Sequence, residues 1–185
     1  LIMRYLMVPY VDRASGARQA CFDVGVHVPA TGFDLNEANT AFNEASGDQD
    51  LVMSGYLGSI GFALPAAMGA WAAFGNTRQI VSVSGDGGLG QYAMELTTAV
   101  KYGMNITHVV LDNSELGKIS KEQRAAHWDV WKTSLHNPDF AAFAELCGAR
   151  GIRVTDPAEL DTAIAEALAH RGPALVDVVT DALLV

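Results

Sequence analysis

The chain has 185 residues, half of them apolar and 18% charged, enough for one globular domain with its own core. A net charge of −9 argues against a nucleic-acid or anionic-membrane surface, though it leaves room for a local anion site built from backbone N–H groups. No apolar run approaches the roughly 20 residues of a membrane span, and Leu1–Val8 is too short for a secretory leader, so the expected location is cytoplasmic. The start at Leu1 rather than Met leaves open a fragment or a processed subunit.

In chain order, Cys21–Val26 reads as a short strand, and residues 29–50 as a polar surface loop with a short helix near Asn36–Asn43. Met53–Phe74 is dense in small residues and reads as one tightly packed helix with Pro65 in its first turn. Gln79–Ser84 (QIVSVS) is a β-branched run, the pattern of a strand buried on both faces. Gln91–Tyr102 has helical spacing, offers Met94, Leu96, Ala99 and Val100 to the core, and is closed by Gly103. Ile106–Leu111 is the next strand. Asn137-Pro138-Asp139 opens a helix with Asn137 as N-cap, which presents Phe140, Phe143, Leu146 and Cys147 inward and ends near Gly148. Gly151–Val154 is a strand, Asp156-Pro157 caps a helix bearing Leu160, Ile164 and Leu168, and Ala174–Val179 is the last strand. Strands alternating with helices predict an α/β fold of three layers, α/β/α, around a parallel sheet. Cys21 and Cys147 read as two buried free thiols in a reducing compartment.

The chemistry concentrates at two strand ends. Gly85-Asp86-Gly87-Gly88-Leu89-Gly90 follows one strand and Asp112-Asn113 the next, with Asp86 and Asn113 27 positions apart. Ligands of parallel sheets bind beyond the carboxyl ends of the strands. The glycines free backbone N–H groups at a helix start, where an anion is favoured. A bare carboxylate would repel a phosphate, and a hard cation between the two removes the conflict; Mg2+ commonly takes one or two protein groups plus substrate phosphates. Asn113 supplies a neutral oxygen, and the loop Ser114-Glu115-Leu116-Gly117 offers a backbone carbonyl. Each motif alone reads equally well as a set of turn formers. The glycines lack the dinucleotide-binding register. No His/Cys cluster has zinc spacing, and no Gly-x-Ser-x-Gly elbow is present. His27 lies at a strand end and could face the site, or be a plain loop histidine. His108, inside a strand, reads as a packed, hydrogen-bonded core residue. His127, Trp128 and Trp131 suit either a segment over the site or a partner-facing surface, and His136 needs no catalytic role.

The order Gly-Asp-Gly, 24 residues (Gly88–Leu111), then Asp-Asn resembles the thiamine diphosphate signature, in which the closing pair is Asn-Asn. The run GYLGSIGFALPAAMGA before it is similar to the matching stretch of those enzymes, and Val24–Val179 resembles their diphosphate-binding (PP) domain. DNSELGKI, HNPDFAAFAELCGARGIRV and GPALVDVV are closest to the pyruvate oxidase and acetolactate synthase branch. The resemblance implies that residues 1–185 are a single PP domain whose PYR and central domains lie outside this chain. It implies Mg2+ on Asp86, Asn113 and the Glu115 carbonyl, and diphosphate at Gly85, Gly87 and Gly88, with Leu116, Gly117 and Lys118 nearby. Gly58, Ser59 and Ile60 would meet the body of the cofactor, with Ile60 as the wedge that keeps it bent and the Gly58 carbonyl accepting from its amino group. Asp112 departs from the usual Asn, at a position that is generally not the metal ligand. Lys118 stands where many relatives carry an apolar residue; it and His27 are the catalytic candidates, neither assigned a definite role.

The activating glutamate of this family comes from a pyrimidine-binding (PYR) domain, and Glu37, Glu44 and Glu95 offer no substitute. The implied activity is therefore decarboxylation of, or acyl transfer from, a 2-oxo acid such as pyruvate, within a homo-oligomer and incomplete without a PYR partner. FAD is possible on a domain outside this chain. The rival readings are a stand-alone small subunit of a split decarboxylase of the sulfopyruvate type and a non-catalytic cofactor-binding module. A Mg2+-dependent phosphotransfer enzyme is a further rival, but it lacks its nucleophilic Asp motif.

Overall fold

A computed structural model of the chain describes residues 18–22, 49–53 and 60–184. Six strands form one sheet: β1 (Arg18–Phe22), β2 (Gln49–Met53), β3 (Gln79–Gly85), β4 (Ile106–Asp112), β5 (Arg150–Val154) and β6 (Ala174–Val179). Their order is β2-β1-β3-β4-β6-β5, and every pairing is parallel. The helices are α1 (Ala63–Phe74), α2 (Asp86–Tyr92), α3 (Glu95–Lys101), α4 (Gly117–Ala125), α5 (Phe140–Cys147) and α6 (Leu160–Ala169).

All seven residues of β4 are buried, as befits a central parallel strand. The alternation of its side chains divides the core. Val109 and Leu111 join Val83, Val176 and Val178 against Leu160, Ala163, Ile164 and Ala167 of α6. On the opposite face, Val110 joins Leu64, Leu89, Leu96, Phe140 and Leu175, and Ile80 and Ile106 meet Ala67, Ala70 and Ala99. Alanines at these helix positions let the backbones approach the sheet closely, so much of the cohesion is dense packing. The result is the expected three-layer α/β/α fold.

Several local expectations shift. The helix expected from Met53 begins at Ala63, because Met53 closes β2; residues 54–59 lie outside the described set. The loop expected over residues 29–50 gives way at its end to the edge strand β2. The strand expected at Cys21–Val26 lies at Arg18–Phe22, with 23–26 outside the described residues, as are the Asn36–Asn43 helix and the Cys21 side chain. The helix expected over 91–102 is two helices broken at Ala93–Met94, which turns Met94 outward to 64% exposure. Leu146 is likewise exposed rather than inward. Cys147 is a free, half-buried thiol, and burial raises its pKa. Asp139, not Asn137, caps α5: its Oδ1 accepts from Ala142 N at 2.8 Å. No described helix is long and apolar enough to cross a membrane.

His108 is fully buried in β4, as its strand position suggested. Its ring nitrogens lie 2.6 Å from Ser82 Oγ and 2.9 Å from Ser84 Oγ, both on neighbouring β3. Burial lowers its pKa to about 4 from an ordinary 6.5, so the ring is neutral in the fold. Unfolding frees it to take up a proton below pH 6.5. Its contribution is complete above that pH, falls by about 3 kcal/mol as the pH drops to 4, and then levels off. Asp177, raised to about 6 by burial, acts in the opposite sense, so the two must be separated by mutation. The expected result is that the stability difference between wild type and His108→Gln, read from urea midpoints, shifts towards the variant as pH falls from 6.5 to 4.

Candidate functional site

The sheet register brings the two motifs together. Ser84 pairs with Val110 and Gly85 with Leu111, so β3 and β4 end side by side. The chain leaves β1 outward to β2 and later runs from β3 the other way, so a topological switch lies between β1 and β3. Crevices at such a point are where open parallel sheets bind ligands. Asp86 is the first residue of α2 at this edge and is only 3% exposed. Gly85 is extended, and a β-carbon built on it would meet none of the described residues within 4 Å. At Gly87 a β-carbon would come 2.7 Å from Leu116 Cδ2. Glycine there lets the loop after β4 close over the start of α2, bringing Gly87 and Leu116 together.

The carboxylate of Asp86 is held on both sides. Oδ1 accepts from Gly87 N at 2.8 Å; Oδ2 accepts from Ser114 N and from Asn137 Nδ2, each at 2.7 Å. Burial is the main cause raising its pKa, and Asp112 adds to it; the donors Asn137, Gly87 and Ser114 oppose the rise. A buried carboxylate of raised pKa gains from a nearby cation, and a proton competes with that cation.

Asn113 Oδ1 accepts from Glu115 N at 3.0 Å, which folds the loop back on itself, and the Glu115 carbonyl accepts from Gly117 N at 2.9 Å. Both oxygens keep a second acceptor site. Ser114 takes a left-handed conformation, φ 56°, which aims its N–H at Asp86 and Asp112. The loop is pinned from outside by Leu116 N to Thr133 O at 2.7 Å and Leu135 N to Ser114 O at 2.8 Å. Among the described residues no three His, Cys, Asp or Glu side chains gather as a metal set. The donors at hand are a carboxylate, an amide and carbonyls, which fits a hard, oxygen-seeking ion and not zinc.

Ile60 is 40% exposed and precedes Gly61, whose φ of 85° and contact with Tyr92 exclude a side chain: a β-carbon would lie 2.6 Å from the Tyr92 ring. One helix, α2, thus carries Asp86 at its start and at its end buttresses the turn holding Ile60. Gly58, Ser59, His27, Glu37 and Glu44 lie outside the described residues. The structure does not turn Lys118 inward. Its ammonium pairs with Glu122 at 3.2 Å, one helical turn along α4, with side chains 66% and 65% exposed. Exposed pairs of this kind are worth a few tenths of a kcal/mol. Lys118→Ala is expected to leave stability within about 0.5 kcal/mol and ligand affinity within about threefold, checked by denaturant titration and calorimetry.

Trp128 and Trp131, each 70% exposed, lie on the loop after α4, tied down by bonds between Gln123 and the backbone of Trp128 and Trp131. His127 and His136 are exposed. The residue that sequence reasoning missed is Asn137. Its side chain bridges Asp86 and Asp112 at 2.7 Å each, where a helix cap was expected.

Residues 36–178 match the family described as thiamine pyrophosphate enzyme, C-terminal TPP binding domain. The chain belongs to this family. It is 44% identical over 131 residues to YdaP of Bacillus subtilis, whose name provisionally marks it as thiamine pyrophosphate-containing; the match covers 71% of this chain and 23% of that one. It is 34% identical over 132 residues to the mitochondrial acetolactate synthase catalytic subunit of Aspergillus candidus, covering 71% and 19% of the two chains. It is 37% identical over 121 residues to the large subunit of Escherichia coli acetolactate synthase isozyme 3, covering 63% and 21%. The chain therefore spans less than a quarter of the length of these relatives. It is a thiamine diphosphate-binding domain related to the acetolactate synthase branch of the thiamine diphosphate enzymes. The relatives' names give no support to the sulfopyruvate-type small subunit.

Proposed function

We propose that this chain, as one PP domain, holds thiamine diphosphate through Mg2+ in an enzyme that decarboxylates, or transfers the acyl carbanion equivalent of, a 2-oxo acid such as pyruvate. The observation that carries the reading is the buried Asp86 carboxylate at the opening of α2, beside Gly85 and the oxygens of the Asn113 loop. Asp86 Oδ1, Asn113 Oδ1 and the Glu115 carbonyl would hold Mg2+. The backbone of Gly85, Gly87 and Gly88 would face the diphosphate, aided by the field at the helix start. Leu116 and Gly117 shape the loop beside it, and Ile60, with Gly58 and Ser59, would support the cofactor's rings.

Bound thiamine diphosphate supplies an electron sink for breaking a bond next to a keto carbon. This chain's part is to bind, to orient and to exclude water. A PYR domain, from the same protein or another subunit, would complete the site in a homo-oligomer. The exposed Trp128 and Trp131 suit a surface facing such a partner. FAD, if used, would sit on another domain.

Calorimetric titration of thiamine diphosphate into the chain tests the reading. Binding that requires Mg2+ and is lost on adding a chelator supports it. Equal binding with and without the metal, or none even with a PYR domain present, removes it.

A further inference from the structure

Two carboxylates, Asp86 and Asp112, face one another at 3% and 4% exposure, where like charges repel most strongly. No lysine or arginine pairs with either among the described residues. Two nitrogens lie between them instead. Asn137 Nδ2 donates one hydrogen to Asp86 Oδ2 and the other to Asp112 Oδ1, both at 2.7 Å. Ser114 N approaches the same two oxygens, at 2.7 Å and 3.2 Å, but has a single hydrogen to share. The Ser114 hydroxyl reaches Asp112 Oδ1 at a long 3.4 Å, so among the described residues the Asn137 amide is the group that donates to both carboxylates at close range. Its engagement leaves Asp86 Oδ1, which accepts only from Gly87 N, with capacity for a further partner. The contact spans 51 residues, and Asn137 stands just before α5, released from capping by Asp139.

We propose that Asn137 is a positioning residue: its amide clamps Asp86 to Asp112, fixing the Asp86 carboxylate in the orientation in which it holds the cation. This rests on the reading of Asp86 as a cation ligand given above. Outer partners that orient a ligating carboxylate commonly change metal affinity 10- to 100-fold when removed. Asn137→Ala leaves two buried acceptors short of a donor, and Asp86 free to turn away from Asp112. Asp112→Asn in the same background removes the like charge and supplies an amide that can donate to Asp86 directly. Rescue by that second change is specific to a clamp between charges; a loss of packing at position 137 would not be repaired by it.

The test is Mn2+ binding to the chain with thiamine diphosphate, followed by electron paramagnetic resonance, for wild type, Asp86→Ala, Asn137→Ala, Asp112→Asn and the Asn137→Ala/Asp112→Asn double variant. The expected results are a roughly 10- to 100-fold loss for Asn137→Ala, about threefold or less for Asp112→Asn, and recovery of the double variant to within about threefold of Asp112→Asn. Should Asn137→Ala fail to fold, Asn137→Ser, with one donor hydrogen, is read in its place with the same rescue. Undiminished affinity in the 137 variant, absence of rescue, or a loss in Asp112→Asn matching that of Asn137→Ala overturns the proposal. No loss of the free Mn2+ signal on adding wild type, or full affinity in Asp86→Ala, instead overturns the reading on which it rests.

Discussion

Asp86→Ala is expected to weaken Mg2+-dependent binding of thiamine diphosphate by more than about 100-fold, while the circular dichroism of the chain stays that of the folded protein. The cause is electrostatic. Asp86 is the carboxylate at the mouth of α2, and the helix start attracts the diphosphate only if something offsets the charge beside it. A cation shared between Asp86 and the diphosphate would do so, and losing the carboxylate would remove both a ligand and the charge that draws the ion in. The fold should survive, because the cores on both sheet faces contain no part of this side chain. Because Asp86 titrates above the usual carboxylate range, wild-type affinity should also decline as pH falls towards its pKa, the proton competing with the metal. Calorimetry at matched Mg2+ concentrations reads both effects.

Gly151→Ala is expected to cost about 3 kcal/mol or more, a large share of a domain's net stability. Gly151 lies in β5 where α5 crosses the sheet, and a β-carbon there would come 2.0 Å from the Ala141 carbonyl oxygen and 2.7 Å from its carbon. Backbone cannot yield as a side-chain tip can, so the strand and helix must separate. That separation would disturb Arg150 and Gly151 N, both held by Glu145 of α5. Gly69 in α1 is the control: a β-carbon there meets nothing within 4 Å, and Gly69→Ala should stabilise by about 0.5–1 kcal/mol. Denaturant midpoints of the two variants are expected to move in opposite directions.

How much of this was legible follows from which forces leave a local trace. β3, β4 and β6 are rich in Val and Ile because both faces of a central parallel strand are largely buried, and that demand leaves its mark along the sequence. The edge strand β2, Gln-Asp-Leu-Val-Met, is too short and too polar at its start to show a period. Helix α4, rich in Lys, Glu, Gln and Arg, buries only Gly117 and Ser120 and has no apolar face to read. Met94 and Leu146 follow helical spacing yet point to solvent; a break at Ala93–Met94 reset the phase for the first.

The site was legible in part because Asp86 and Asn113 each follow a readable strand. Asn137 was not. Asn-Pro-Asp offers two capping residues, local preference favours the first, and the bridge to Asp86 and Asp112 is made by tertiary structure alone. Lys118 shows the converse: its nearness in sequence to the motif says nothing of the helical register that turns it towards Glu122.

The most direct measurement of the central claim is a crystal structure of the chain with thiamine diphosphate and Mn2+, the ion located by its anomalous scattering. The ion is expected within about 2.0–2.3 Å of Asp86 Oδ1, Asn113 Oδ1 and the Glu115 carbonyl, with the diphosphate at the backbone of Gly85–Gly88. An ion held elsewhere, or a diphosphate away from the start of α2, would contradict that claim.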